Sequence, residues 1–299
     1  MPVIDRKNVL SGIRVAEAMR RQVVRLPRLA AAEQAVRFTM KYKVNALLVH
    51  ETHGAPAGVV SKTDLMGAYY AGLPLDTPVE AVMVAPPLFC QADDSLEKAL
   101  ETMRTNRVHR LYVLDPGEEE AVGVLAYPDI VGMLYRLCHK CDRSLTRIRR
   151  HEDGGSDRFR VAEVMSPSAF SACEEDSLAT VMEGLSAHRF GAALIRDRDG
   201  FPTGVISKSD LMMAYRHGVR ADTPSGRVMS HPVRACEEGL ELAVAIQQMV
   251  YADIQRIFVF KGEPPNIVGT LSLSDAARVR SGSCRACISS RIRVEETAT

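Results

Sequence analysis

The sequence predicts an α/β protein made of four tandem modules, and three observations predict it. Arg14-Val15-Ala16-Glu17-Ala18-Met19 returns 146 residues later as Arg160-Val161-Ala162-Glu163-Val164-Met165, and Gly58 to Met66 returns in the same register as Gly204 to Met212. Asp76-Thr77-Pro78 matches Asp222-Thr223-Pro224, so a single shift serves the whole chain, which is two copies of one unit. Each copy is itself double. Asp64 and Asp129 stand 65 residues apart, as do Asp210 and Asp275, and each closes a run that starts with glycine and a short apolar stretch.

Periodicity assigns the elements within a module. Leu96, Ala99, Leu100 and Met103 fall on one helical face, and the shift carries them to Leu242, Ala245, Ile246 and Met249. Leu178, Val181, Met182 and Leu185 form the same face in the third module, and Ala32, Ala35, Val36 and Met40 approximate it in the first. A short apolar run after each helix reads as a buried strand: Ala46–Val49, Leu111–Leu114, Ala192–Ile195 and Ile257–Phe260. Turns holding Gly54, Gly117, Gly200 and Gly262 follow, then a second strand such as Gly123–Leu125 or Gly204–Ile206. A second helix opens at the aspartate-bearing motif. The module is strand–helix–strand–strand–helix, too small to cover both faces of its sheet alone, so the modules are expected to pair.

Composition narrows the class. At 299 residues, 46% apolar and 25% charged, the chain has the makeup of a globular protein and not of a disordered one. Lys plus Arg is 38 against 37 for Asp plus Glu, a net charge of +1, which excludes a globally basic nucleic-acid coat. No apolar run approaches the roughly 20 residues of a membrane span. Met1 to Arg6 runs straight into charge without the apolar core of a signal peptide, so the expected location is cytoplasmic. Aromatic residues are 5% with no Trp, which argues against base-stacking grooves. No nucleophile–base pair and no Walker-type glycine loop stands out, so the chain is not expected to be an enzyme.

The repeated motif carries a definite chemistry. Ser61, Ser207 and Ser272 are placed to begin helices three residues before Asp64, Asp210 and Asp275. A helix N-terminus offers unpaired N–H groups and about half a positive charge, which suits phosphate. A carboxylate there accepts hydrogen bonds from a ribose diol. Lys62 and Lys208 sit inside the motif and counter phosphate charge if they turn inward. Ser-x-x-Asp is also close to a capping box, worth about 1 kcal/mol to the helix with no ligand at all, so at any single copy capping stands as an alternative to ligand binding, and the two roles are not exclusive. The second module departs from the pattern with Ala126-Tyr127-Pro128-Asp129, where Tyr127 either packs over a base or plugs the cleft.

Four such units in register, each closing on Gly-apolar-apolar-Ser-x-x-Asp or its variant, resemble the cystathionine-beta-synthase (CBS) domain. The resemblance covers roughly residues 14–135 and 160–281. It implies two tandem pairs in a pseudo-twofold disc, and a regulatory protein instead of a catalyst. AMP, ADP, ATP or S-adenosylmethionine would bind in clefts between paired domains. It also implies basic residues near phosphate ahead of the middle strand, where Arg110 and Arg256 stand in the second and fourth modules, against Asn45-Ala46 and Gly191-Ala192 in the first and third. Fewer than four occupied sites are expected. The ligand set is therefore Ser61, Asp64, Lys62, Ser207, Asp210, Lys208, Ser272, Asp275, Asp129, Arg110 and Arg256, with Asp64→Ala expected to weaken the first pair and Asp210→Ala the second.

The family does not account for the cysteines. Cys138-His139-Lys140-Cys141 follows the first pair, and the shift turns it into Cys284-Arg285-Ala286-Cys287 after the second. Two CxxC turns supply four sulfurs, the tetrahedral set taken by zinc, the expected ion, or by an iron–sulfur cluster, and dithiol redox chemistry is the alternative. Equivalent tails of the two pairs would meet to complete one site. Cys90, Cys173 and Cys236 read as buried structural thiols. Residues 136–160 carry a net charge of +4 and read as a basic linker.

The expected organisation is a first pair at 1–135 (modules about 14–72 and 78–135), the CxxC segment and linker at 136–159, a second pair at 160–281 (modules about 160–218 and 224–281) and a CxxC tail at 282–299. The leading expectation is a stand-alone regulator of an unidentified protein partner, with a homodimer left open and no membrane. Two alternatives are a metal or redox sensor with vestigial clefts and a nucleic-acid-binding regulator acting through the Arg-rich CxxC tails, the latter disfavoured because interleaved aromatics are missing.

Overall fold

A computed structural model describes residues 12–52, 54–133, 159–263 and 265–278. The first module holds β1 (Arg25–Pro27), α2 (Ala32–Lys41), β2 (Ala46–His50), β3 (Pro56–Ser61) and α3 (Lys62–Tyr70), preceded by the single turn α1 (Val15–Ala18). The second holds β4 (Phe89–Gln91), α4 (Leu96–Thr105), β5 (Arg110–Leu114), β6 (Ala121–Ala126) and α5 (127–133). The third runs β7 (Ser171–Cys173), α6 (Leu178–Ala187), β8 (Ala192–Arg196), β9 (Pro202–Ser207) and α7 (Lys208–Arg216). The fourth runs β10 (Ala235–Glu237), α8 (Leu242–Tyr251), β11 (Arg256–Phe260), β12 (Ile267–Ser272) and α9 (Leu273–Arg278).

Each module forms one three-stranded sheet in which the first strand is parallel to the middle one and the last antiparallel to it. Leu26 pairs with Val49 and Leu48 with Val59, and Cys90–Val113 and Tyr112–Val124 repeat this register in the second module. The parallel pair requires a crossover, which α2, α4, α6 and α8 supply. All four helices end on a left-handed residue at one equivalent position: Lys43, Arg107, Arg189 and Asp253, with φ of 51°, 54°, 54° and 55°. Glycine usually fills that position.

The segment ahead of each first strand crosses to the neighbouring module. Arg20 bridges to Val124, Val84 to Val59, Ser166 to Thr270 and Ser230 to Val205. Glycine makes this approach possible. A Cβ on Gly58 would stand 2.7 Å from Met83 Sδ, on Gly123 2.5 Å from Met19 Sδ, and on Gly204 2.5 Å from Met229 Sδ, while on Gly269 it would collide with the Ser166 carbonyl oxygen. The glycine that opens each repeated motif is thus a packing residue.

Pairing buries the faces that a lone module exposes. One core joins the first and third modules through Leu65, Tyr69, Leu178, Leu211 and Tyr215, and a second joins the other two through Leu96, Met103, Leu242 and Met249. A smaller cluster of Leu48, Tyr112 and Val124 lies between the sheets of the first pair. The two halves meet about an approximate twofold axis. Tyr69 Oη donates to the Val219 carbonyl at 2.7 Å, and Tyr215 Oη donates to the Leu73 carbonyl at 2.7 Å, the same bond displaced by one repeat. No helix among the described residues is long and apolar enough to cross a membrane.

Two assignments of buried residues are corrected. In α2 the last core position belongs to Thr39, not Met40, which is only partly buried. Thr39 lies one further helical repeat from Ala32, and its hydroxyl is satisfied by the Val36 carbonyl at 2.8 Å. Cys173 is exposed, whereas Cys90 and Cys236 are buried. The repeat aligns those two with Leu26 and Ala172, so Cys173 stands one residue out of step and points to the opposite face of its strand. Burial pushes the Cys90 thiol up to about 12 and the Cys236 thiol to about 11.

Candidate ligand-binding site

Each motif begins where the last strand of a sheet turns into a helix. Ser61 caps α3, its Oγ accepting from the Thr63 and Asp64 N–H groups at 3.2 and 3.4 Å. Asp64 Oδ2 accepts in return from the Ser61 N–H at 2.7 Å and the Ser61 hydroxyl at 2.6 Å. Ser207 and Asp210 repeat this closure at 2.7 and 2.6 Å, and Ser272 and Asp275 at 2.9 and 2.6 Å. The three serines are therefore engaged in capping boxes, and one oxygen of each aspartate is held in the cap. In the second module the Ala126 N–H donates to Asp129 Oδ2 at 2.9 Å with no hydroxyl to join it. Tyr127 is 1% exposed and packs into the core, its ring edge-on to His109 at 5.8 Å.

The two motif lysines turn inward and cross between halves. Lys62 Nζ donates to Ser209 Oγ at 2.8 Å, and Lys208 Nζ donates to Thr63 Oγ1 at 2.7 Å. Burial, with repulsion from Arg110, holds Lys62 down at about 8 against partial relief from Asp210. Burial, with repulsion from Arg256, holds Lys208 at about 8 against relief from Asp64. Each lysine thus stands with an arginine of the even-numbered module of one pair and an aspartate of the odd-numbered module of the other. The sequence-predicted residues converge on two groups related by the repeat: Lys62, Arg110, Asp210 and Asp129, and Lys208, Arg256, Asp64 and Asp275.

The arginines, expected just ahead of the middle strands, are the first residues of β5 and β11, and burial lowers both of their proton affinities. Arg110 Nη1 donates to the Ala46 carbonyl at 3.1 Å. Arg256 packs over the Phe190 ring at 5.8 Å, and its Nε and Nη1 are buried with no hydrogen-bond partner in the described structure. Buried donors left unmade cost about 1–3 kcal/mol, so these two N–H groups are poised for an acceptor that no described residue supplies.

Two residues that the sequence does not single out complete the site. Arg20 Nε pairs with Asp129 Oδ1 at 2.7 Å, where the Asp129 side chain is only 9% exposed. Burial raises the Asp129 carboxyl, and Arg20 opposes that rise. Ser230 Oγ donates to Asp210 Oδ1 at 2.7 Å. Both lie on the crossing segments, at one equivalent position that Val84 and Ser166 occupy elsewhere. The signal was the repeat itself, read one residue beyond Met19. Among the described residues no group of three or more His, Cys, Asp or Glu is placed to hold a metal, and Cys138, Cys141, Cys284 and Cys287 lie outside the described residues.

This architecture and these motifs define a protein of paired α/β modules. The CBS domain model matches residues 15–71, 79–136, 161–217 and 226–282, and the chain belongs to the CBS-domain family. It is 24% identical over 201 residues to the human 5'-AMP-activated protein kinase subunit gamma-3, covering 64% of this chain and 39% of that protein. The chain thus spans about two fifths of the length of that relative. Among solved structures it is similar to protein MJ1225 of Methanocaldococcus jannaschii, described as a proposed archaeal homologue of g-AMPK, with a TM-score of 0.73 at 15% identity over 89% of this chain and 99% of that one. A conserved Pyrococcus horikoshii protein matches at a TM-score of 0.57 and 18% identity, again over 89% and 99%.

Proposed function

We propose that this chain is a regulatory protein that binds adenine nucleotides or other adenosyl ligands between its CBS domains and transmits occupancy to a separate protein partner. The observation that carries the reading is the convergence of a helix-start aspartate, a half-buried lysine and an arginine with two buried N–H groups from three different modules, Asp64, Lys208 and Arg256. A free carboxylate oxygen suits a ribose diol, and the two cations suit phosphate. Because the groups come from both halves, a ligand there bears on how the halves sit together, which is the physical basis for regulation instead of catalysis. The curated human relative is by name a subunit of an AMP-activated kinase, which supports an adenine nucleotide as the ligand class. The four CxxC cysteines keep their reading as a shared zinc site joining the halves, supported by their duplication in register with the modules.

Isothermal titration of the purified chain with AMP, ADP, ATP and S-adenosylmethionine tests the reading. Saturable heat with at least one is expected, and none with any would overturn it.

A further inference from the structure

The four motif aspartates are equivalent in sequence and unequal in hydrogen bonding. Oδ2 of each is taken by the backbone at its helix start, so the capacity to accept a ligand rests on Oδ1. At Asp129 that oxygen is held by Arg20, and at Asp210 by Ser230. At Asp64 and Asp275 no described residue donates to it.

The inequality is sorted in space. Asn45 Nδ2 donates to Gln255 Oε1 at 2.6 Å, and the carbonyls of these two residues accept from the Lys62 and Leu273 N–H groups at 2.9 and 3.1 Å. Lys43 and Asp253 form an ion pair beside them. The helix starts bearing Asp64 and Asp275 therefore lie side by side. The repeat maps this arrangement onto Asp210 and Asp129, with Gly191 and His109 in place of Asn45 and Gln255. The arginines divide in the same way, since Arg110 has the Ala46 carbonyl and Arg256 has buried N–H groups without an acceptor.

We infer that the chain binds its ligand only at the group formed by Asp64, Asp275 and Arg256, which draws on both halves, and that Arg20 is a built-in occupant of the Asp129 carboxylate that closes the repeat-related group of Asp129 and Asp210. This rests on the reading of an adenosyl ligand. Ribose hydroxyls donate to the open Oδ1, and phosphate takes the Arg256 N–H groups with Lys208 beside it. The Arg20 guanidinium makes a charge-assisted bond to a nearly buried carboxylate, and neutral ribose hydroxyls compete poorly with it.

Titration of the full chain and its variants with the same four ligands tests the division. Asp64→Asn, Asp275→Asn and Arg256→Gln each weaken or remove a binding event by about tenfold or more, while Asp129→Asn and Asp210→Asn stay within about twofold. Arg20→Ala, which uncovers the Asp129 carboxylate, keeps that event and adds a second, and an unchanged number of events in it overturns the role of Arg20 as occupant. Hydrogen exchange on the unaltered protein needs no variant to fold: ligand protects residues 61–66 and 272–277 and leaves 126–131 unchanged. Binding governed by Asp129 or Asp210, or protection centred on 126–131, overturns the inference alone. Absence of heat from the unaltered chain overturns the functional reading and this inference with it.

Discussion

Tyr69 and Tyr215 stack across the two halves with ring centroids 5.0 Å apart and an interplanar angle of 19°, each donating its hydroxyl to a carbonyl of the opposite half. They sit on α3 and α7, the helices that begin at Asp64 and Asp210, so the contact joining the halves is one turn or two from the motifs themselves. Burial raises both phenols, Tyr69 to about 12, with Asp222 adding to the first and Asp76 to the second.

The exchange can be measured. Tyr69→Phe and Tyr215→Phe each keep the stack and delete one hydrogen bond, and each is expected to cost about 1 kcal/mol in urea unfolding with little change in slope. An unaltered midpoint in both variants would show that the pair contributes nothing to joining the halves.

The motif lysines predict a pH dependence of stability. Both sit near 8 when folded, against an ordinary 10.5. Below 8 they are charged in both states and the burial penalty is felt in full. Between 8 and 10.5 the unfolded chain holds more protons, so their contribution to stability rises with pH across that window. Cys90 and Cys236, raised by burial, act in the opposite direction above 9. Comparing urea midpoints of the unaltered protein with Lys62→Met and Lys208→Met isolates the lysines, and the variants should lose the rise between pH 8 and 9. Parallel profiles would contradict the burial of these ammonium groups.

The motif glycines predict a graded cost. A Cβ on Gly58 meets Met83 Sδ and stands 3.0 Å from the Val84 carbonyl oxygen, whereas a Cβ on Gly269 collides with the Ser166 carbonyl oxygen. Gly269→Ala should therefore destabilise by about 1–3 kcal/mol, and Gly58→Ala by less, read as thermal midpoints. The reverse order would mean that the crossing segments are not held as described.

The duplicated cysteines predict about one zinc ion per chain by elemental analysis, falling in Cys284→Ser. Metal-free protein with full stability would remove the shared site from the account.

The modular order was legible because duplication exposes it twice. Ala99 and Ala245, or Leu65 and Leu211, occupy the same buried positions, so each copy checks the other. The helix starts were equally legible, since Ser-x-x-Asp carries its own local geometry. The crossing segments were not. Arg20 reaches Asp129 over more than a hundred residues, and no local period encodes that contact. The reach of Lys62 to Ser209 was hidden for the same reason, because it depends on how two halves dock. Cys173 went astray through a one-residue offset, which in a strand changes the face.

Native mass spectrometry of the full chain incubated with AMP, ADP, ATP and S-adenosylmethionine puts the central claim most directly to the test. The account predicts a mass increase corresponding to bound adenosyl ligand, retained in Asp129→Asn and diminished in Asp275→Asn. A spectrum showing only ligand-free protein with all four compounds would contradict it.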